Sequence, residues 1–239
     1  MDTEKRIFGL TGNQLKLIAL LTMTIDHIGL FLVPGNTMLY VICRMIGRLA
    51  MPIFAWMIAE GCRYTKNRLR YLLTLLGFGI FSQAVELIFE DSLYMCILIT
   101  FSLSVILIYT LEYSQKKKNF LTLCLLGGVF AAICYICVFL PGDLPGTDFS
   151  VDYGIYGVLL PVLIYMGRSK REKLLLAAAG LVPMSISYGC LQWFSLLSLL
   201  LLALYNGQKG RARLKYLFYI YYPVHLGALY IIAVLLSMW

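Results

Sequence analysis

Long apolar runs alternate with short basic loops along this chain, and a bundle of membrane-crossing helices satisfies both halves of that pattern. A helical crossing needs about 20 mostly apolar residues, each rising about 1.5 Å. Nine stretches qualify or nearly qualify: residues 14–33, 38–60, 69–90, 93–113, 120–140, 152–167, 173–187, 190–205 and 214–238. The sixth to eighth are short. Tilting, kinking or partial re-entry is open to them, because non-helical backbone is tolerated where it lines a cavity.

The basic residues check the count independently, since loops facing the cytoplasm carry an excess of Lys and Arg. The N-terminus has Lys5, Arg6 and Lys16, and the second loop has Arg63, Lys66, Arg68 and Arg70. The fourth loop has Lys116, Lys117 and Lys118, and the sixth has Arg168, Lys170, Arg171 and Lys173. The eighth has Lys209, Arg211, Arg213 and Lys215, which brings the total to 18 of the 20 basic residues. The intervening loops have none, and their acids include Glu90, Asp91, Asp143 and Asp148. Adding or removing one crossing scrambles this alternation. The expected fold is therefore all-α: a polytopic transmembrane helix bundle of about nine spans, N-terminus inside and C-terminus outside. Residues 1–239 form a single integral membrane domain in this reading.

Composition excludes the main soluble alternatives. Hydrophobic residues make up 61% and charged residues 13%, against about 45–50% and about 25% in soluble domains. The net charge of +8 could indicate nucleic acid, but the loop distribution accounts for it, and no nucleic-acid partner is expected. The first apolar run is too long for a signal-peptide core and has no small-x-small exit, so it reads as a retained helix. Seven cysteines (Cys43, Cys62, Cys96, Cys124, Cys134, Cys137, Cys190) sit mostly in apolar runs and form no regular framework. They read as reduced core residues, the Cys134/Cys137 pair included.

Two basic residues remain, Arg44 and Arg48, both inside the second span. An arginine in the bilayer costs at least about 2.5–3.5 kcal/mol, so each needs a reason. Four residues apart, they share a helix face, which should look into the bundle. Asp26 and His27 lie roughly 18–20 Å along the first span, and His225 roughly 16 Å into the ninth. These five groups fall in one layer, from the midplane toward the outer half, with Gln83 and Glu86 at its outer edge. Asp26 is suited to pair with an arginine, which leaves His27 as a general base of near-neutral pKa. Pro223 removes a backbone donor before His225 and is expected to kink the ninth helix. With only two histidines and scattered cysteines, no metal site is expected. Elbow, P-loop and His-x-x-x-His motifs do not occur.

The stretches LKLIALLTMTIDHIGLFL and ICRMIGRLAMPIFAWMIAEGCRYTKNRLRYLLTLLGFGIFSQ, with DYGIYG at residues 152–157 and YYPVHL at residues 221–226, resemble the TraX family, named for the enzyme that N-acetylates F-pilin. The likeness is dense over residues 14–83 and motif-like beyond. It implies a bacterial inner-membrane acyltransferase, related to the acyltransferase-3 superfamily, that takes acetyl groups from cytoplasmic acetyl-CoA as co-substrate. The motif positions it carries include Asp26, His27, Arg44, Gly47, Arg48, Glu60, Thr65, Asp152, Pro223 and His225. One departure is Cys96, where the pattern has an asparagine four residues before Thr100.

On this reading His27 deprotonates an amine or hydroxyl acceptor, and Arg44 or Arg48 stabilises the oxyanion. His225 is a second base or acyl carrier. Glu60, Arg63, Thr65, Lys66 and Arg68 face the CoA thioester at the inner surface. Gln83, Glu86, Asp152 and Tyr153 are the candidates for the acceptor side. Lipid surrounds the whole. Two further readings stay open from the residues: a transporter or flippase, since buried Asp, Arg and His also build proton relays, and a catalytically inactive scaffold. The acceptor itself, whether peptide amine, sugar or lipid hydroxyl, is not specified by the sequence.

Overall fold

Helix starts are set by side chains that satisfy the first free backbone N–H groups. Thr11, Thr37, Asn67, Asn119 and Ser169 each accept a bond from the backbone N–H three residues on. At Thr11 the capping is reciprocal with Gln14, so the first helix begins at Gly12. The structure, a computed structural model, describes residues 9–210 and 215–237. Lys5, Arg6, Arg211 and Arg213 lie outside the described residues, as do the side chains of Glu90 and Lys215.

The chain folds as α1 (Gly12–Leu32), α2 (Met38–Gly47), α3 (Ala50–Tyr64), α4 (Arg68–Glu90) and α5 (Ile97–Lys117). Then come α6 (Phe120–Cys134), a π-helical turn (Tyr135–Phe139) and the short α7 (Leu140–Asp143). They are followed by α8 (Gly154–Met166), α9 (Lys170–Tyr188), a 3₁₀ segment (Cys190–Leu197), α10 (Ser198–Ala203) and α11 (Lys215–Ser237). The short β1 (Tyr94–Met95) and β2 (Ser150–Val151) pair in parallel between helices. The protein is thus all-α with a multi-pass membrane architecture. Among the described residues, six helical stretches are long and apolar enough to cross a membrane: Gly12–Leu32, Met38–Tyr64, Arg68–Ile88, Ile97–Lys117, Phe120–Asp143 and Leu217–Leu236. Gly154–Met166 and Cys190–Ala203 are shorter apolar helices.

The second expected span is not one continuous helix. It breaks between α2 and α3 at Arg48 and Leu49. The arginine at the break turns its guanidinium back, so that Nε donates to the Arg44 carbonyl at 3.3 Å. The ninth helix, in contrast, runs through Pro223 as a single element.

Packing centres on α3, α5 and α8, flanked by α1 and α9. Leu15, Ile53, Trp56, Ile108, Leu160, Ile164 and Leu181 are fully buried there. Helix α11 closes the bundle against α1 and α4. Helix α6 packs mainly on α5 and presents most of its surface outward.

Polar contacts sort the loops into two ends. At one end, Gly12 and Asn13 donate backbone N–H bonds to the carbonyls of Gln208 and Lys209. Arg63 donates to the Tyr165 and Gly167 carbonyls, Arg68 pairs with Glu112, and Lys173 pairs with Glu60. This is the end where the described basic loops gather. At the other end, Asp148 accepts from the Ser92 hydroxyl at 2.5 Å and the Leu93 N–H at 2.8 Å. Those two donors hold its carboxyl below the usual carboxylate range.

Where α1 crosses α2, glycine allows the backbones to approach. A Cβ placed on Gly47 overlaps the Asp26 carboxyl, and one on Gly29 meets Cys43. Small residues at helix crossings serve this role in membranes. Gly47→Ala is therefore expected to cost about 1–3 kcal/mol through overpacking, read as a lower melting temperature in detergent. Gly77, with open space around it, is the control: Gly77→Ala should leave melting unchanged or raise it.

Candidate functional site: a histidine pair above a basic-mouthed cavity

The α1–α2 crossing places Asp26 opposite both membrane arginines. Arg44 Nη1 donates to Asp26 Oδ2 at 2.7 Å, and Arg48 Nη2 donates to Asp26 Oδ1 at 3.3 Å. The other arm of Arg48 donates to the Tyr153 hydroxyl at 3.2 Å and to Gln192 Oε1 at 3.3 Å. All three charged side chains are less than one-fifth exposed. One carboxylate thus ties two arginines, and through Arg48 the start of α8 and the 3₁₀ segment join α1 and α2.

His27 takes the other face of α1 and meets α11. His225 Nε2 lies 3.0 Å from His27 Nδ1, and His225 Nδ1 lies 2.9 Å from the Tyr221 carbonyl. A carbonyl only accepts, so in the neutral pair His225 carries its proton on Nδ1 and donates to Tyr221. His225 Nε2 is then an acceptor, and His27 Nδ1 donates to it. The Nε2 lone pair of His27 remains as the basic site of the pair. Tyr221 stacks on His225 at 5.1 Å between centroids, and its hydroxyl bonds Thr24 of α1 at 2.7 Å. These contacts fix both rings, which is what a proton acceptor of defined direction requires.

A cavity of about 640 Å³ opens at the basic end. Lys16, Arg70 and Lys209 line it, together with Asn13, Glu60, Thr65 and Asn67. Its deeper wall is apolar, with Phe54, Phe101, Phe218, Leu75 and Leu98. It reaches Met23 and Tyr222, one helical turn before His27 and His225 respectively.

The structure brings Asp26, Arg44, Arg48 and Tyr153 together, and His27 with His225. Of the five residues expected at the CoA thioester, Glu60 and Thr65 line the cavity. Arg63 and Arg68 are engaged elsewhere by their carbonyl and Glu112 bonds, and Lys66 is exposed outside the cavity lining. The cations that do line it are Lys16, Arg70 and Lys209, which by sequence read only as topology signals. On the acceptor side, Gln83 Oε1 accepts the Cys96 N–H at 3.0 Å, so it caps α5 in place of a side chain at Cys96. Glu86 accepts from the Tyr222 hydroxyl, and the Asp152 carboxylate accepts from Tyr94 at 2.7 Å. The Asp152 carbonyl accepts from Thr100 at 2.9 Å. Gln192 and Tyr221 were not anticipated. Gln192 had one signal, a lone amide in an apolar run, and it is 1% exposed. Among the described residues there is no cluster of three metal-binding side chains.

Comparison with known proteins agrees with the sequence motifs. The chain is 27% identical over 245 residues to a protein of Dichelobacter nodosus called "Probable fimbrial assembly protein FimC, serogroup H1", an alignment covering 90% of this chain and 93% of that one. It is 29% identical over 161 residues to an uncharacterised protein of Rickettsia prowazekii, covering 67% of this chain and 57% of the relative. No solved structure matches it significantly. The family profile described as "TraX protein" matches residues 11–233. The chain therefore belongs to the TraX family.

Proposed function

We propose that this protein is a membrane-embedded acyltransferase that moves an acyl group, acetyl in the simplest case, from a CoA thioester to an amine or hydroxyl acceptor. In this reading it sits in the bacterial cytoplasmic membrane with nine spans, its basic end inside and its C-terminus outside. The observation that carries the reading is the cavity: cations at its mouth, apolar walls, and an inner limit one turn below the histidine pair. A CoA thioester has the matching order of parts: phosphates, a flexible arm, then the reactive carbonyl.

Lys16, Arg70 and Lys209 would hold phosphate oxygens by charge-assisted bonds. The arm would lie along Phe54, Phe101 and Phe218, bringing the carbonyl toward His27. The acceptor gives its proton to His27 Nε2 and attacks the thioester carbonyl. The carbon–sulfur bond breaks, the acceptor keeps the acyl group, and the departing thiolate takes the proton. As His27 gains positive charge, its Nδ1–H bond to His225 strengthens. Arg44 spends one bond on Asp26 and has further N–H groups for the developing oxyanion. The name of the Dichelobacter relative agrees with an acceptor connected to fimbriae, so a pilin amine is one candidate.

The competing reading is a transporter using Asp26, Arg44, Arg48 and the histidines as a relay. Binding at the cavity mouth separates the two. Arg70→Ala is expected to weaken CoA binding to the purified protein about tenfold or more, on the scale of a lost charged hydrogen bond, by calorimetric titration. Wild-type protein that binds no CoA would favour the transporter.

A further inference from the structure

A second cavity, of about 560 Å³, lies at the same end and shares Glu60, Tyr64, Tyr205 and Gly207 with the first. Trp56 lines it, is 1% exposed, and its indole Nε1–H has no hydrogen-bond partner. Native proteins seldom bury a donor without an acceptor, because the lost hydration is not recovered. Two ammonium groups line the same space. Lys170 Nζ donates to the carbonyls of Ala203 and Tyr205, and Lys173 Nζ donates to Glu60 while lying 5.8 Å from the Trp56 ring centroid. An ammonium has three N–H groups, so Lys170 retains one and Lys173 two. Against these donors stands one carboxylate, Glu60. Tyr64, 70% exposed, offers a ring where the two cavities meet.

We infer that this second cavity is a phosphate-monoester subsite that takes the 3′-phosphorylated adenosine end of the CoA thioester, while the first cavity takes its arm. This rests on the acyl-transfer reading. Glu60, Tyr64, Tyr205 and Gly207 line both cavities, so the two are adjacent at the basic end and a ligand as long as CoA would span them. The donors suit an anion: spare N–H groups on Lys170 and Lys173, two ammonium groups against one carboxylate. Glu60, paired to Lys173, holds that ammonium beside the wall rather than competing for the ligand. Salt bridges and backbone bonds already use part of each lysine, so the subsite is held in place before a ligand arrives.

The test compares CoA with dephospho-CoA, which lacks only the 3′-phosphate, by titration calorimetry on the purified full chain. Wild type is expected to bind CoA about tenfold or more tightly than dephospho-CoA. Lys170→Gln and Lys173→Gln, each of which removes one ammonium from the cavity wall, should both bring that margin close to one. Adenosine 3′,5′-bisphosphate should displace CoA from wild type and lose that ability in both variants. Equal binding of the two thiols by wild type overturns the subsite while leaving the acyl-transfer reading intact. A full margin retained in both variants overturns it as well. Wild type that binds neither thiol overturns the acyl-transfer reading and the subsite with it.

Discussion

Replacing His27 with glutamine is expected to lower acyl transfer about 10²–10⁴-fold, the usual contribution of a positioned general base. Glutamine keeps a polar side chain of similar reach but cannot take the proton. Folding should survive, because the neutral histidine pair contributes one interhelical bond at 3.0 Å, while Thr24 and Tyr221 still join α1 to α11. CoA binding should change little, since His27 lies beyond the cavity lining. His225→Gln should give a smaller loss, because both ring nitrogens of His225 are taken up by the Tyr221 carbonyl and His27, which suits it to orient the base. The assay is label transfer from acetyl-CoA, with gel filtration of the detergent-solubilised protein as the folding control. Undiminished transfer in the His27 variant removes the base assignment.

The second large effect is on stability. Asp26→Ala leaves Arg44 and Arg48 partly buried with no carboxylate between them. Breaking such a pair by removing one partner costs about 3–5 kcal/mol, chiefly from the charge left behind. For a chain of this size, that corresponds to a melting temperature lower by roughly 6–20 °C. The loss should reach α8 and the 3₁₀ segment too, because the Arg48 guanidinium that bonds Asp26 also bonds Tyr153 and Gln192. Adding Arg44→Met to Asp26→Ala should recover part of the loss by removing an unpaired charge. Melting of Asp26→Ala that matches wild type would mean the cluster is not holding the helices together.

The membrane architecture was legible in the sequence because two independent constraints, apolar length and basic loops, write themselves into composition. The Asp26–Arg pairing was legible because an arginine in an apolar run demands a partner, and few carboxylates share its depth. The identity of the partner was not. The sequence left Arg44 and Arg48 as alternatives, whereas the break at Arg48 and Leu49 lets both reach one carboxylate. Pro52, in the first turn of α3, announces the break, since it has no N–H for the Arg48 carbonyl four residues earlier, and Gly47, at the α1 crossing, hints at a close approach, but neither tells that both guanidiniums converge on Asp26. The histidine-to-histidine bond was equally hidden. It depends on which faces of α1 and α11 meet, and sequence periodicity cannot rank two apolar helices that are both surrounded by lipid and protein. The cavity mouth was missed for a different reason. Lys16 and Arg70 sit near the starts of α1 and α4 and Lys209 in the loop before α11, all within basic clusters whose charge the topology rule already explains, so nothing in the sequence distinguishes a topology cation from a ligand-binding one. The neighbouring Arg63 and Arg68 look equivalent by position, but the structure commits them to Tyr165, Gly167 and Glu112.

Acyl transfer through the membrane from a donor at the basic end can be followed in inverted membrane vesicles. Supplied with acetyl-labelled acetyl-CoA on the face that was cytoplasmic, vesicles carrying the wild-type protein should incorporate label into envelope material and release free CoA, and vesicles carrying the His27→Gln form should do neither. Equal incorporation by wild-type, His27→Gln and protein-free vesicles would mean that this protein does not transfer the acyl group.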